Sequence, residues 1–95
     1  MTQLQDTVTQ ILTERGNRYG KFTGHAECTQ TLKAFFKSKM GAKWDNLADD
    51  QKEALEMIAH KLGRIMNGDP NYADSWVDIA GYAKLVSDRL EGVER

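Results

Sequence analysis

Two acidic pairs are the residues in this chain whose type and spacing suit chemistry. Glu53 and Glu56 stand three apart, and Asp74 and Asp78 stand four apart. Either spacing sets both carboxylates of a pair on one side of a helix. If the two helices carrying them pack antiparallel, the four acids converge. Hard divalent cations such as Mg²⁺ take oxygen ligands and keep several waters, which suits such a cluster. Mg²⁺ held this way binds substrate phosphates and activates a water. Glu53, Glu56, Asp74 and Asp78 are therefore candidate metal ligands, with Glu56 and Asp78 as candidate catalytic residues. Lys61 and Arg64, near Glu56 in sequence, are placed to steady phosphate oxygens.

A second cluster lies upstream. Arg15, Arg18, Lys21 and His25 alternate with Tyr19 and Phe22, and glycines occupy 16, 20 and 24. Glycines let backbone amides approach an anion, so the segment suits a phosphorylated or nucleotide ligand. Arg15, Arg18, Tyr19 and Lys21 are candidate substrate-binding residues, together with Lys61 and Arg64. Neither the P-loop pattern nor the dinucleotide fingerprint is present. His25 and His60 are candidate metal ligands or general bases.

Plainer readings stand beside these. Glu53, three residues after Asp50, fits a capping box. Glu56 with His60 or a neighbouring cation fits an ordinary surface pair. Asp74 suits the positive end of a helix. The 15–25 segment also reads as a packed connector with Tyr19 and Phe22 in the core.

Helices carry these residues. Apolar residues recur at helical spacing and β-branched alternation is nearly absent. Leu4, Val8, Ile11 and Leu12 mark a first helix over 2–14, stopped by Gly16, and 15–25 follows as a loop. Cys28, Leu32, Phe35 and Phe36 mark a second over 25–39, ended by Gly41. Residues 43–48 form a connector anchored by Trp44 and Leu47. A third helix runs over 50–67 with Gly68 as its cap. It carries an apolar stripe (Leu55, Ile58, Leu62, Ile65, Met66) roughly opposite a polar one (Glu53, Glu56, His60, Arg64, Asn67). Asp69-Pro70 fits an N-cap and first position, opening a fourth helix over 70–91. Its main apolar side is Trp76, Ile79, Ala80, Ala83, Val86 and Leu90. Its other side carries Asp74, Asp78, Gly81 and Leu85. The fold class is all-α: one domain over 1–95, built as a compact four-helix bundle.

Composition narrows the function. Thirteen basic against fourteen acidic residues give a net charge of −1. Phosphate-backbone binding by the whole chain needs a basic excess, so there is no strong nucleic-acid signal. The single cysteine, Cys28, excludes an intramolecular disulfide and a multi-cysteine zinc site and reads as a small buried side chain. No apolar run approaches the roughly 18 residues of a membrane span, and the first 25 residues lack the apolar core of a signal peptide. The chain reads as soluble and intracellular.

Three stretches carry a family resemblance: Glu14-Arg15-Gly16-Asn17-Arg18-Tyr19-Gly20, Lys61-Leu62-Gly63-Arg64-Ile65-Met66-Asn67-Gly68, and Asp74 through Ala83 with its Asp78-Ile79-Ala80-Gly81-Tyr82-Ala83 core. Together they resemble a family of small phage and prophage helical proteins. That family is distantly similar to the MazG-like all-α nucleoside triphosphate pyrophosphatases. The resemblance implies a cytoplasmic protein of a bacterial host, a homo-oligomer, and Mg²⁺-dependent release of pyrophosphate from nucleotides. MazG-like enzymes hold Mg²⁺ with an ExxE pair and an ExxD pair. Glu53-Ala54-Leu55-Glu56 matches the first; Asp74 and Asp78 approximate the second with aspartates one residue further apart. Two other functions fit the same chain. One is a nucleotide or cyclic-nucleotide binder that sequesters without hydrolysis. The other is a module that engages a host protein through exposed Trp44, Tyr72 or Leu85.

Overall fold

The computed structural model describes residues 3–95, and side-chain burial from Asp6 onward. The expected helix start at Thr2 and the side chain of Leu4 lie outside the described residues. Five helices form: α1 (Gln3–Tyr19), α2 (Phe22–Met40), α3 (Ala42–Asn46), α4 (Asp49–Asn67) and α5 (Ala73–Leu90). No strand occurs among the described residues, so the all-α class holds.

Several boundaries differ from the sequence reading. The expected 15–25 loop is helix except at Gly20 and Lys21. Gly16 does not end α1, because a glycine inside a helix costs only about 1 kcal/mol against alanine. The true break is Gly20, which takes φ +79°, a left-handed conformation open to glycine. The connector after Gly41 holds the short helix α3. Pro70 lies in a turn, and α5 opens three residues later. The turn is held by Asp69, whose side chain accepts the Asn71 N–H at 2.9 Å. At the start of α4, Gln51 accepts the Ala48 N–H at 2.9 Å. This replaces the Asp50–Glu53 box with its reciprocal half alone, since Ala48 has no side-chain acceptor.

α4 is the centre of the layer, packed between α2 and α5. Both neighbours run antiparallel to it. Lys37 meets Glu56 while the Lys21 carbonyl meets Asn67. Asp78 meets Lys61 while Arg89 meets Asp50. The polar stripe of α4 is therefore not a solvated face: Glu56, His60, Gly63 and Asn67 turn toward α2. The close approach there rests on small residues. A Cβ at Gly63 would lie 2.5 Å from the Thr29 hydroxyl.

The apolar stripes are only partly covered. Ile79 and Val86 turn inward, but Trp76, Ala80, Ala83 and Leu90 are exposed. Ala54 and Ala59 are the fully buried apolar residues among those described. Cys28 is half-buried, not enclosed as its residue type suggested. Trp44 and Leu47 are half-buried as well, with Trp44 stacked 5.5 Å from Phe36. Every described α1 side chain before Tyr19 is exposed. The bundle is drawn out along one axis, 49 × 29 × 28 Å, with a radius of gyration of 16.0 Å.

Candidate functional site: a cationic cleft at the α1–α2 elbow

The elbow between α1 and α2 is clamped onto the last turn of α4. The Asn67 amide nitrogen donates to the Tyr19 and Lys21 carbonyls, each at 2.9 Å. The Asp69 N–H donates to the Arg18 carbonyl at 2.6 Å. Gly24 is required at this contact, because a Cβ there would lie 2.5 Å from the Asn67 side-chain oxygen.

This clamp opens a cleft of about 690 Å³ between α1, the elbow, α2 and α4. Its polar walls carry Arg15, Lys21 and Arg64, with His25 and His60 at its base; Tyr19 and Phe22 supply aromatic surface. Among the described residues, no carboxylate lines it. Walls of one sign in a cleft focus the field and draw in ions of the other. The Arg64 guanidinium lies over the Tyr19 ring, 4.1 Å from its centroid, which orients it without neutralising it. Phe22 is 77% exposed at the rim.

The two histidines form one unit. Their rings meet edge to face with centroids 4.5 Å apart. His25 Nε2 lies 3.2 Å from His60 Nδ1 and 3.4 Å from the Thr29 hydroxyl. Burial, then His25, Arg64 and Lys61, push His60 down to about 4. Burial, then Arg64, push His25 down too. Both imidazoles are therefore neutral at neutral pH, able to accept or donate one hydrogen bond without charge.

Arg15, Tyr19, Lys21 and Arg64 are thus brought to one cleft. Arg18 lies beside it, lining a smaller hollow with Glu14, Arg15, Tyr19 and Arg64. Its guanidinium donates to the Tyr72 hydroxyl at 2.6 Å, and that hydroxyl donates to Asp74 at 3.0 Å. The hydrogen bond to Asp74 holds the Tyr72 phenol above its ordinary range. Lys61 sits elsewhere. It is buried on the α5 side of α4, with its ammonium 2.9 Å from Asp78.

The four acidic candidates are dispersed. Glu56 pairs with Lys37 of α2 at 3.5 Å. Asp78 pairs with Lys61, and Asp74 takes the Tyr72 hydroxyl. Glu53 is exposed on a separate hollow beside the Asp50–Arg89 pair. Among the described residues, no three His, Cys, Asp or Glu side chains gather into a group able to hold a metal ion. A four-carboxylate shell for Mg²⁺ is not assembled by this arrangement.

Phe22 and Gly24 were read with the cationic segment and Asn67 with the polar stripe of α4, but spacing did not show that Asn67 and Gly24 meet to give the elbow its form. The available signal was small residues on facing helices, Gly24 and Gly63, each beside a polar side chain. No curated protein and no solved structure gives a significant match to this chain. Residues 2–90, including every residue of the cleft, match a family model described as a domain of unknown function, and the protein belongs to that family, DUF6378.

Proposed function

We propose that the protein binds a nucleotide or a related phosphorylated small molecule in the α1–α2–α4 cleft. The supporting observation is a cavity walled by three cations and two aromatics with, among the described residues, no carboxylate in its lining. Arg15, Lys21 and Arg64 would take the phosphate oxygens by charge-assisted hydrogen bonds. The exposed Phe22 ring would take an aromatic base. The neutral His25–His60 pair would complete the floor. The setting is the cytoplasm of a bacterial host, with a phage-type role of sequestering the ligand.

Hydrolysis is the second reading, favoured by the Glu53-Ala54-Leu55-Glu56 match to the MazG-like pair. It requires Mg²⁺, which the dispersed acids do not gather to hold.

Calorimetric titration of a nucleotide panel in EDTA tests the binding reading. Binding is expected without metal and without turnover. Arg64→Ala should weaken it roughly 10–100-fold, the worth of a charged hydrogen bond. No binding by any phosphorylated ligand, or affinity unchanged in Arg64→Ala and Arg15→Ala, rejects the site. Mg²⁺-dependent release of pyrophosphate, lost in Asp78→Ala, would establish hydrolysis instead.

A further inference from the structure

We propose that His60 accepts a hydrogen bond from a sugar hydroxyl of the bound nucleotide, so that the cleft takes phosphorylated ribosides in preference to their deoxy forms. This rests on the cleft being the nucleotide site. The order of groups along its base carries the proposal. Phe22, the exposed ring at the rim, lies 6.3 Å from His25, ring centre to ring centre. His25 lies 4.5 Å from His60. Arg64 follows His60 by one turn on the same side of α4, about 6 Å away, and both line the cleft. Aromatic ring, imidazole pair and guanidinium thus succeed one another as base, sugar and phosphate do in a nucleotide. With the base on Phe22 and a phosphate on Arg64, the sugar comes to the histidines.

The hydrogens of the pair decide what that floor can read. His25 is 6% exposed, and its Nδ1 is buried without a hydrogen-bond partner. That nitrogen packs against Gly63, where a Cβ would lie 3.2 Å from it. Burial and Arg64 lower the affinity of the His25 ring for a second proton, while the Gly63 backbone, just outside hydrogen-bond geometry, raises it. A carbonyl acts that way and an N–H does not, so the hydrogen of neutral His25 is assigned to Nδ1. His25 Nε2 is then a lone pair. It takes the His60 Nδ1–H across 3.2 Å, with the Thr29 hydroxyl a more distant donor at 3.4 Å. His60 therefore turns a bare Nε2 to the cleft. Among the described residues that nitrogen has no protein partner, and it is not one of the enclosed atoms. A bare ring nitrogen accepts and cannot donate. An ionised phosphate oxygen has no hydrogen to give it, whereas Arg15, Lys21 and Arg64 can only donate and so hold the phosphate. The Tyr19 and Thr23 hydroxyls in the lining can turn either way; His60 cannot. A sugar hydroxyl is the uncharged donor that this acceptor fits.

Titration of the full chain in EDTA with the four common ribonucleoside monophosphates, and with counterparts lacking either ring hydroxyl, tests this. Losing the hydroxyl that His60 reads should weaken binding about 2–10-fold, the worth of one uncharged hydrogen bond. His60→Phe keeps a ring at the floor without the acceptor. It should bind ribose and deoxy forms alike, with the phosphate still held by the arginines. Nitrogen NMR of the wild-type imidazoles should show His60 with its hydrogen on Nδ1 and none on Nε2. Equal wild-type affinity for all three sugars, or a hydrogen on His60 Nε2, overturns the proposal and leaves the cleft reading standing. A preference that survives in His60→Phe overturns it as well. If that variant does not fold, the wild-type series and the NMR decide. Should none of these nucleotides bind, this proposal falls, and the cleft reading stands or falls with the wider panel of phosphorylated ligands.

Discussion

A buried histidine kept neutral makes stability depend on pH in a window of its own. Folded His60 titrates near 4, against 6.5 as its ordinary value. Between those values the unfolded chain takes up a proton that the folded chain refuses, so acid favours unfolding there. His25 is shifted in the same direction. Stability should decline as pH falls from about 7 toward 4 and stop declining through His60 below that. The carboxylates of Asp50 and Asp88 act elsewhere. Arg89 holds the first below the usual range, and Arg95 with Lys84 the second, so their contribution is lost only at more acid pH. Urea midpoints from pH 7 to 5 should fall in wild type and fall less steeply in His60→Gln, where His25 still contributes. An equal slope in both would place the proton uptake elsewhere. Facing His25 across the α2–α4 contact, Gly63 allows no larger residue. In Gly63→Ala the new Cβ would meet the Thr29 hydroxyl at 2.5 Å and His25 at 3.2 Å. Overpacking of this kind costs about 1–3 kcal/mol, and the urea midpoint should drop accordingly.

At the scale of elements, Lys61 and Asp78 tie α4 to α5. The lysine is buried, with 11% of its side chain exposed, while Asp78 is 45% exposed. Removing the acid leaves the ammonium without its partner. Breaking a fully buried pair costs about 3–5 kcal/mol, and partial exposure reduces this to about 1–3 kcal/mol for Asp78→Ala. Adding Lys61→Met should restore much of the loss, because an apolar residue of similar length suits that position. Recovery of stability in the double variant, read by denaturant unfolding, is the expected outcome. A double variant no better than Asp78→Ala would mean the acid supports the interface by another route. The same pair shows what the sequence disclosed. Spacing grouped Asp78 with Asp74, Gly81 and Leu85 on one side of its helix. Spacing did not reveal which charge faces it, because periodicity resolves sides of one helix and says nothing of what covers them. For this reason nothing in the spacing showed that small residues draw α2 onto the polar stripe of α4. The glycine at 16 misled for a related reason: only the neighbour at 20 is held at positive φ, by its place against Asn67. The helical class and the cleft cations were legible because composition and local spacing carry them. The elbow geometry was not, because it depends on contacts 46 and 48 residues apart in the chain.

For the molecule as a whole, the distribution of contacts predicts a gradient of local opening. α4 is packed from both sides, α2 and α5 chiefly from one, and α1 makes sparse contact with α2 and α4. An isolated helix of 17 residues is marginal in water, since it must offset a costly nucleus with few tertiary contacts. Amide exchange should therefore be slowest in α4, intermediate in α2 and α5, and fast in the part of α1 before Leu12. A ligand in the cleft would touch α1 at Leu12, Arg15 and Tyr19, and binding would hold the helix against the layer. Saturating nucleotide should slow exchange over residues 12–19 and leave α5, which contributes nothing to the cleft wall, unchanged. Exchange over 12–19 that ignores the ligand would mean that α1 takes no part in binding.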